Sequence, residues 1–242
     1  MSIFLQTSGL SLPPRLQAFD LSIKAGEFVG LIGPNGAGKT TFLRAALGLL
    51  PAKGESSLTR YPVAVRPRHV SYLAQDRSLI WPISVRDLLA LGARANPDVK
   101  GDGGDQAEKV LRRLDLLAFA DRKVDSLSGG EKARVLMARA LAQNAPLLLA
   151  DEPCAALDPA QARSLAHLMR AEAEEGRSVL ASLHDLPLAA SFCHRVLVMK
   201  GGALIAQGAP KDVMTAALMS EVFGIGFERL NGPSGPVWAV TG

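Results

Sequence analysis

Residues 33–41 read GPNGAGKTT, and no other segment restricts the possible folds as severely. Gly33, Gly38, Lys39 and Thr40 satisfy the spacing G-x-x-x-x-G-K-[ST], in which glycines let successive backbone N–H groups curl around an anion. The apolar run EFVGLI at 27–32 precedes the loop, and Phe42, Leu43, Ala46, Leu47 and Leu50 then recur at helical spacing over 40–50. The order is strand, glycine loop, helix, and the helix N-terminus adds positive potential where the loop closes. This predicts a phosphate site. The backbone of Gly33, Pro34, Asn35, Gly36, Ala37 and Gly38 wraps the phosphates, Lys39 reaches the outer ones, and the Thr40 hydroxyl ligates magnesium with Thr41 beside it. A glycine-rich turn alone has no need of a lysine followed by two threonines.

A second apolar run, LLLA at 147–150, ends in Asp151 and Glu152, and a third at 178–183 ends at His184. Both are expected as buried central strands, and ligands of open α/β sheets bind at the carboxyl ends of such strands. Asp151 is expected to face the metal and Glu152 the γ-phosphate. A carboxylate there would act as general base, orienting and polarising a water for in-line attack, a role worth about two to four orders of magnitude in rate. Between these runs, residues 83–145 change to helical patterns around the turn GDGGD at 101–105, which predicts an inserted helical subdomain. After His184 a helix is expected over 186–193, a strand over 195–199, a turn at Gly201 and Gly202, and short helices near Asp212 and Leu218. The ending NGPSGPVWAVTG is too rich in Gly and Pro to assign.

The 242 residues suit one module with a subdomain. No apolar stretch approaches the roughly eighteen residues that span a bilayer, so the chain is not itself a membrane pore. The N-terminal MSIFLQTSGLSLPP has neither a basic start nor an apolar signal block, and Cys154 and Cys193 suggest no disulfide framework. A reducing cytoplasm is the expected compartment. The net charge of +4 raises the question of nucleic acid, but the 27 basic residues are scattered and aromatics make up only 5%, so stacking platforms are missing and no nucleic-acid partner is expected.

LSGGE at 127–131 opens a helix running to Ala142 and lies between the phosphate loop and the acidic strand. That order resembles the ABC ATPases. The resemblance runs from Leu5 to Gly226 and includes Gln75 in YLAQ, AALD at 155–158 and His184 in LHDL. It implies an α/β P-loop NTPase fold: a RecA-like core with mixed sheet (1–82 and 146–225), the helical subdomain (83–145), a small N-terminal antiparallel β region and a tail (226–242). It also implies ATP and Mg2+ as bound groups. Ser128, Gly129, Gly130 and Glu131 of a second copy would close over the phosphates in a head-to-tail homodimer. Gln75 would reach magnesium and the attacking water, and His184 the γ-phosphate, beside Lys39 and Glu152 as catalytic residues. His69, His167 and His194 are expected to be structural. One position departs from the family: Leu10 falls where these ATPases usually place an aromatic that stacks on adenine. Either Leu10 or Arg15 is expected to cover the base instead.

Three stretches, at 74–92, 184–208 and 211–225, resemble the importer ATPases that serve cobalamin, haem and ferric siderophores. Zinc and manganese importers carry related endings and form the alternative. The resemblance implies a peripheral subunit on the cytoplasmic face of the cell membrane. Its partners would be permease subunits, docked in a groove near Gln75 to Trp81, and an extracytoplasmic cargo-binding protein. A soluble ABC protein acting on ribosomes or DNA would be expected to carry tandem modules or a long coiled-coil insertion, and a non-hydrolysing binder a degraded base or signature.

Overall fold

The computed structural model describes residues 2–76, 82–232 and 235–241. The chain opens with an antiparallel pair, β1 (Ile3–Leu12) and β2 (Leu16–Lys24), followed by β3 (Phe28–Ile32), α1 (Lys39–Ala46), β4 (Lys53–Ser56) and β5 (Val70–Leu73). Three helices come next: α2 (Val85–Arg94), α3 (Gly104–Arg113) and α4 (Gly129–Ala142). The chain then alternates through β6 (Leu147–Ala150), α5 (Pro159–Glu174), β7 (Ser178–Ser182), α6 (Leu186–Phe192) and β8 (Arg195–Lys200). It finishes with β9 (Ala203–Gly208), α7 (Pro210–Val213), α8 (Ala216–Phe223) and the hairpin β10 (Gly226–Gly232) and β11 (Gly235–Thr241).

One six-stranded sheet, in the order β5-β6-β7-β3-β8-β9, organises these elements. It is parallel from β5 to β8, and β9 joins antiparallel to β8. A separate antiparallel sheet, β2-β1-β4, forms the small N-terminal region. Every residue of β3, β6 and β7 is buried, which is why β3 and β6 read as apolar runs and β7 departs from one only at its two end serines, Ser178 and Ser182.

The pleat divides the apolar side chains between two cores. Phe28, Ile32, Leu148, Ala150, Val179, Ala181, Val196 and Val198 face the helices α2 to α6 and α8. Their alternates Val29, Leu31, Leu147, Leu149, Leu180, Leu197 and Met199 face α1 and the N-terminal sheet, with Phe42, Leu5 and Leu16. Burying a side chain of this size contributes about 1.5–3 kcal/mol, so the alternation fixes the register strongly.

Two expectations shift. The helix foreseen over 40–50 ends at Ala46, because Gly48 turns the chain at φ 73°. The unassigned tail forms a hairpin, with β10 and β11 paired from Gly226↔Thr241 inward. Phe223, Phe227 and Trp238 meet edge to face, and β11 lies against α6. Glycine and proline masked an aromatic packing signal.

Helices α2 and α4 approach closely at Gly92. A Cβ there would stand 2.4 Å from the Arg139 carbonyl oxygen and 2.8 Å from Arg139 Cγ. The first clash is with backbone and is not relieved by a rotamer change. Gly92→Ala is therefore expected to destabilise the fold by about 1–3 kcal/mol, read from the midpoint of chemical denaturation, and an unchanged midpoint would show that the helices can separate freely.

Candidate functional site

The loop between β3 and α1 curls as its composition requires. A Cβ on Gly33 would lie 2.2 Å from the Met199 carbonyl oxygen, and one on Gly38 2.8 Å from that of Arg15, both at positive φ. Only glycine allows the backbone so close to its neighbours at these two points. Lys39 is 5% exposed and its Nζ donates to the carbonyls of Gly33 (2.7 Å) and Pro34 (3.1 Å), bracing the loop from within. Burial lowers the Lys39 pKa, while the charges of Glu152 and Asp151 act to raise it. A cavity of about 380 Å³ opens over this loop, lined by Asn35, Gly36, Ala37, Gly38, Lys39, Thr40, Thr41, Glu152 and Arg15.

Strand β6 delivers Asp151 and Glu152 beside the loop, as the sequence pattern suggested. Asp151 is 1% exposed. Its Oδ1 accepts from the hydroxyls of Thr40 (3.0 Å) and Ser182 (2.9 Å), and its Oδ2 from the Tyr72 phenol (3.5 Å). The Tyr72 pKa is raised, chiefly by burial. Glu152 is held from two sides: Gln75 Nε2 donates to Oε2 at 2.9 Å, and His184 Nε2 stands 2.7 Å from Oε1. Its backbone N–H donates to Ser182 Oγ at 2.7 Å. Lys39, Thr40, Gln75, Asp151, Glu152 and His184, drawn from four separate segments, thus converge on one place.

The signature residues lie elsewhere on the chain. Ser128 caps α4 in a reciprocal capping box: its hydroxyl accepts from the Glu131 N–H, and Glu131 Oε2 accepts from the Ser128 N–H at 2.7 Å. That backbone bond is the main reason the Glu131 carboxyl titrates below its usual range. A Cβ on Gly130 would overlap the Gln161 side chain at 2.2 Å, whereas one on Gly129 would meet nothing within 4 Å. Packing within the chain therefore accounts for one glycine of the pair. Asp158, the end of AALD, caps α5 by accepting from the Gln161 N–H at 2.9 Å.

Leu10 requires a correction. It is 2% exposed and belongs to the core beneath the N-terminal sheet, so it does not cover a base. Arg15, exposed in the β1–β2 turn, is the residue that reaches the cavity. Tyr72 and Ser182 were not foreseen as site residues, and the signal for Ser182 was a hydroxyl in the otherwise apolar run VLASL. His194 Nδ1 accepts from the Phe28 N–H at 3.0 Å, His167 packs edge-on to Phe192, and His69 stacks on Tyr61. Cys154 and Cys193 are not joined in a disulfide, and the Cys154 thiol donates to the Ala162 carbonyl at 3.7 Å. Residues 77–81, with Trp81 and most of the expected permease groove, lie outside the described residues.

Residues 16–155 match the family model of the ABC transporter. This chain belongs to the ABC transporter ATP-binding family. Among its ABC relatives, the hemin import ATP-binding protein HmuV of Streptomyces coelicolor is 40% identical over 87% of this chain and 78% of that protein. The cobalamin import ATP-binding protein BtuD of Halobacterium salinarum is also 40% identical, over 84% of this chain but only 53% of its own length. The chain thus spans about half of that second relative. Solved structures agree on the ABC fold. An ABC transporter assigned to the metal-chelate type, in an inward-facing conformation, superposes with a TM-score of 0.84 at 22% identity, covering 99% of this chain and 97% of that one. A dimeric ATP-binding cassette in a post-hydrolysis state, bound to ADP and Pi, superposes with a TM-score of 0.74 at 27% identity, covering 85% and 98%.

Proposed function

We propose that this chain is the ATP-hydrolysing subunit of an importer for a haem-like or siderophore iron complex or for cobalamin. The observation that carries hydrolysis is the convergence of Gln75 and His184 on the Glu152 carboxylate beside the Lys39 loop, with Asp151 bonded to Thr40 of that loop's helix. The names of the hemin and cobalamin relatives support the cargo class.

Gly33, Pro34, Asn35, Gly36, Ala37, Gly38, Lys39, Thr40 and Thr41 hold the nucleotide phosphates, with Lys39 turning from its loop carbonyls to the outer ones. The Thr40 hydroxyl, the Asp151 carboxylate and the Gln75 amide supply hard oxygen donors. Thr40 and Asp151 already meet at 3.0 Å, and so small a donor set fits Mg2+, which keeps waters and phosphate oxygens in its shell. Bound there, magnesium supplies charge neutralisation of the phosphate oxygens. Glu152 orients a water for in-line attack on the γ-phosphorus and takes its proton, and ADP leaves as the new P–O bond forms. His184 positions the Glu152 carboxylate and reaches the γ-phosphate.

Ser128, Gly129, Gly130 and Glu131 do not line this cavity among the described residues, and each chain carries one loop and one signature. A second copy, head to tail, brings its signature over the phosphates, a reading supported by the dimeric relative bound to ADP and Pi. No described helix is long and apolar enough to cross a membrane, in keeping with a peripheral subunit beneath separate permease subunits on the cytoplasmic face. An extracytoplasmic cargo-binding protein completes the assembly.

Arg15 covers the nucleotide base. A guanidinium plane stacks on any π-face, and among the described residues no other side chain outside the loop and Glu152 lines the cavity to read the base edge. ATP and GTP are therefore expected to be hydrolysed with kcat/KM values within about fivefold of each other, and a hundredfold preference for ATP would refute this assignment. Glu152→Gln is expected to lower turnover by about a hundredfold or more while trapping an ATP-bound dimer visible by light scattering, and unchanged turnover would remove Glu152 as base. In the assembled transporter, binding protein loaded with haem, a ferric siderophore or cobalamin should stimulate ATP turnover, and indifference to all three would overturn the cargo class.

A further inference from the structure

Ser182 is the last residue of β7 and is fully buried. It lies opposite Leu31 of β3, while its neighbour Ala181 lies opposite Ala150 of β6. This places the side chain between the strand that leads into the phosphate loop and the strand that ends in Asp151. Its hydroxyl bonds in two directions: Oγ donates to Asp151 Oδ1 at 2.9 Å and accepts the Glu152 backbone N–H at 2.7 Å. A carboxylate only accepts, so the serine proton points to Asp151 and a lone pair is left for the amide. The same Oδ1 receives Thr40 from the loop at 3.0 Å.

Glu152 itself has φ 51°, a left-handed conformation that non-glycine residues rarely adopt. Such a conformation persists where surrounding bonds determine it, and the bond to Ser182 is one that acts on the peptide joining Asp151 to Glu152. The direction of the Glu152 side chain follows from that backbone. Gln75 and His184 meet the carboxylate in the position so defined.

We propose that Ser182 is a positioning residue for hydrolysis, one hydroxyl that fixes the general base relative to the metal-facing carboxylate and the phosphate loop. The proposal rests on Glu152 being the base. Ser182 does not line the cavity over the phosphate loop, so its effect falls on the chemical step and not on nucleotide capture.

The test compares purified full-length Ser182→Ala, Ser182→Cys, Ser182→Thr and Glu152→Gln with the parent, measuring kcat, KM, affinity for a fluorescent ATP analogue and thermal midpoint. Ser182→Ala is expected to lose about thirtyfold or more in kcat with ATP affinity within about threefold, and Ser182→Thr, which keeps the hydroxyl, to return within about fivefold of the parent. Should the alanine protein not fold, Ser182→Cys preserves the volume with a weaker bonding group and carries the same comparison. The proposal is overturned if kcat stays within about threefold of the parent in the variants that lack the hydroxyl, or if affinity and thermal midpoint fall in step with kcat in alanine and threonine variants alike. An inactive Glu152→Gln beside an active Ser182→Ala removes Ser182 alone, whereas an active Glu152→Gln removes the base on which it depends.

Discussion

A single buried carboxylate ties this molecule's site together. Asp151 is almost sealed from solvent, and an ionised group in such a place is tolerable only when its oxygens are bonded. Thr40, Ser182 and Tyr72 supply those bonds from α1, β7 and β5. Because the three donors come from different elements, each must be in register for the charge to be satisfied. Removing one leaves a buried acceptor short of a partner, which costs about 1–3 kcal/mol. The same arrangement that stabilises the sheet's carboxyl edge therefore holds in place the groups proposed for hydrolysis.

The sheet's contribution is to bring distant residues to one edge. Strands β3, β6 and β7 run parallel, so the ends at Gly33, Asp151 and Leu183 fall side by side although they are far apart in sequence. Short polar segments beyond those ends then need only a few residues to meet. Gln75 arrives from β5 at the sheet's margin, and the helical region between β5 and β6 carries the signature away from its own cavity.

Much of this was legible from the residues alone. The strand at 147–150 and the N-terminal end of α4 emerge where the apolar run and LSGGE at 127–131 placed them, because full burial and a helix start leave a one-dimensional record. What escaped was three-dimensional. Leu10 looks like any exposed-strand residue until β1 and β2 pair and turn it into the core. The importance of Ser182 depends on two partners about thirty residues upstream, and that of Gly130 on Gln161, so no local pattern announces either. The closing hairpin was hidden by turn-forming residues, although Phe227 and Trp238 give it an apolar contact of its own.

The alternation of side chains through the central sheet has a further consequence for how the chain loses its structure. Neighbouring residues of β3, β6, β7 and β8 belong to opposite cores, so every strand is shared property. Neither core can melt while the other persists, since doing so would require a strand to be ordered on one side and disordered on the other. The helical layer and the N-terminal sheet are thereby bound into one cooperative unit, and a loss of packing on the face remote from the phosphate loop is transmitted through the strands to the loop itself.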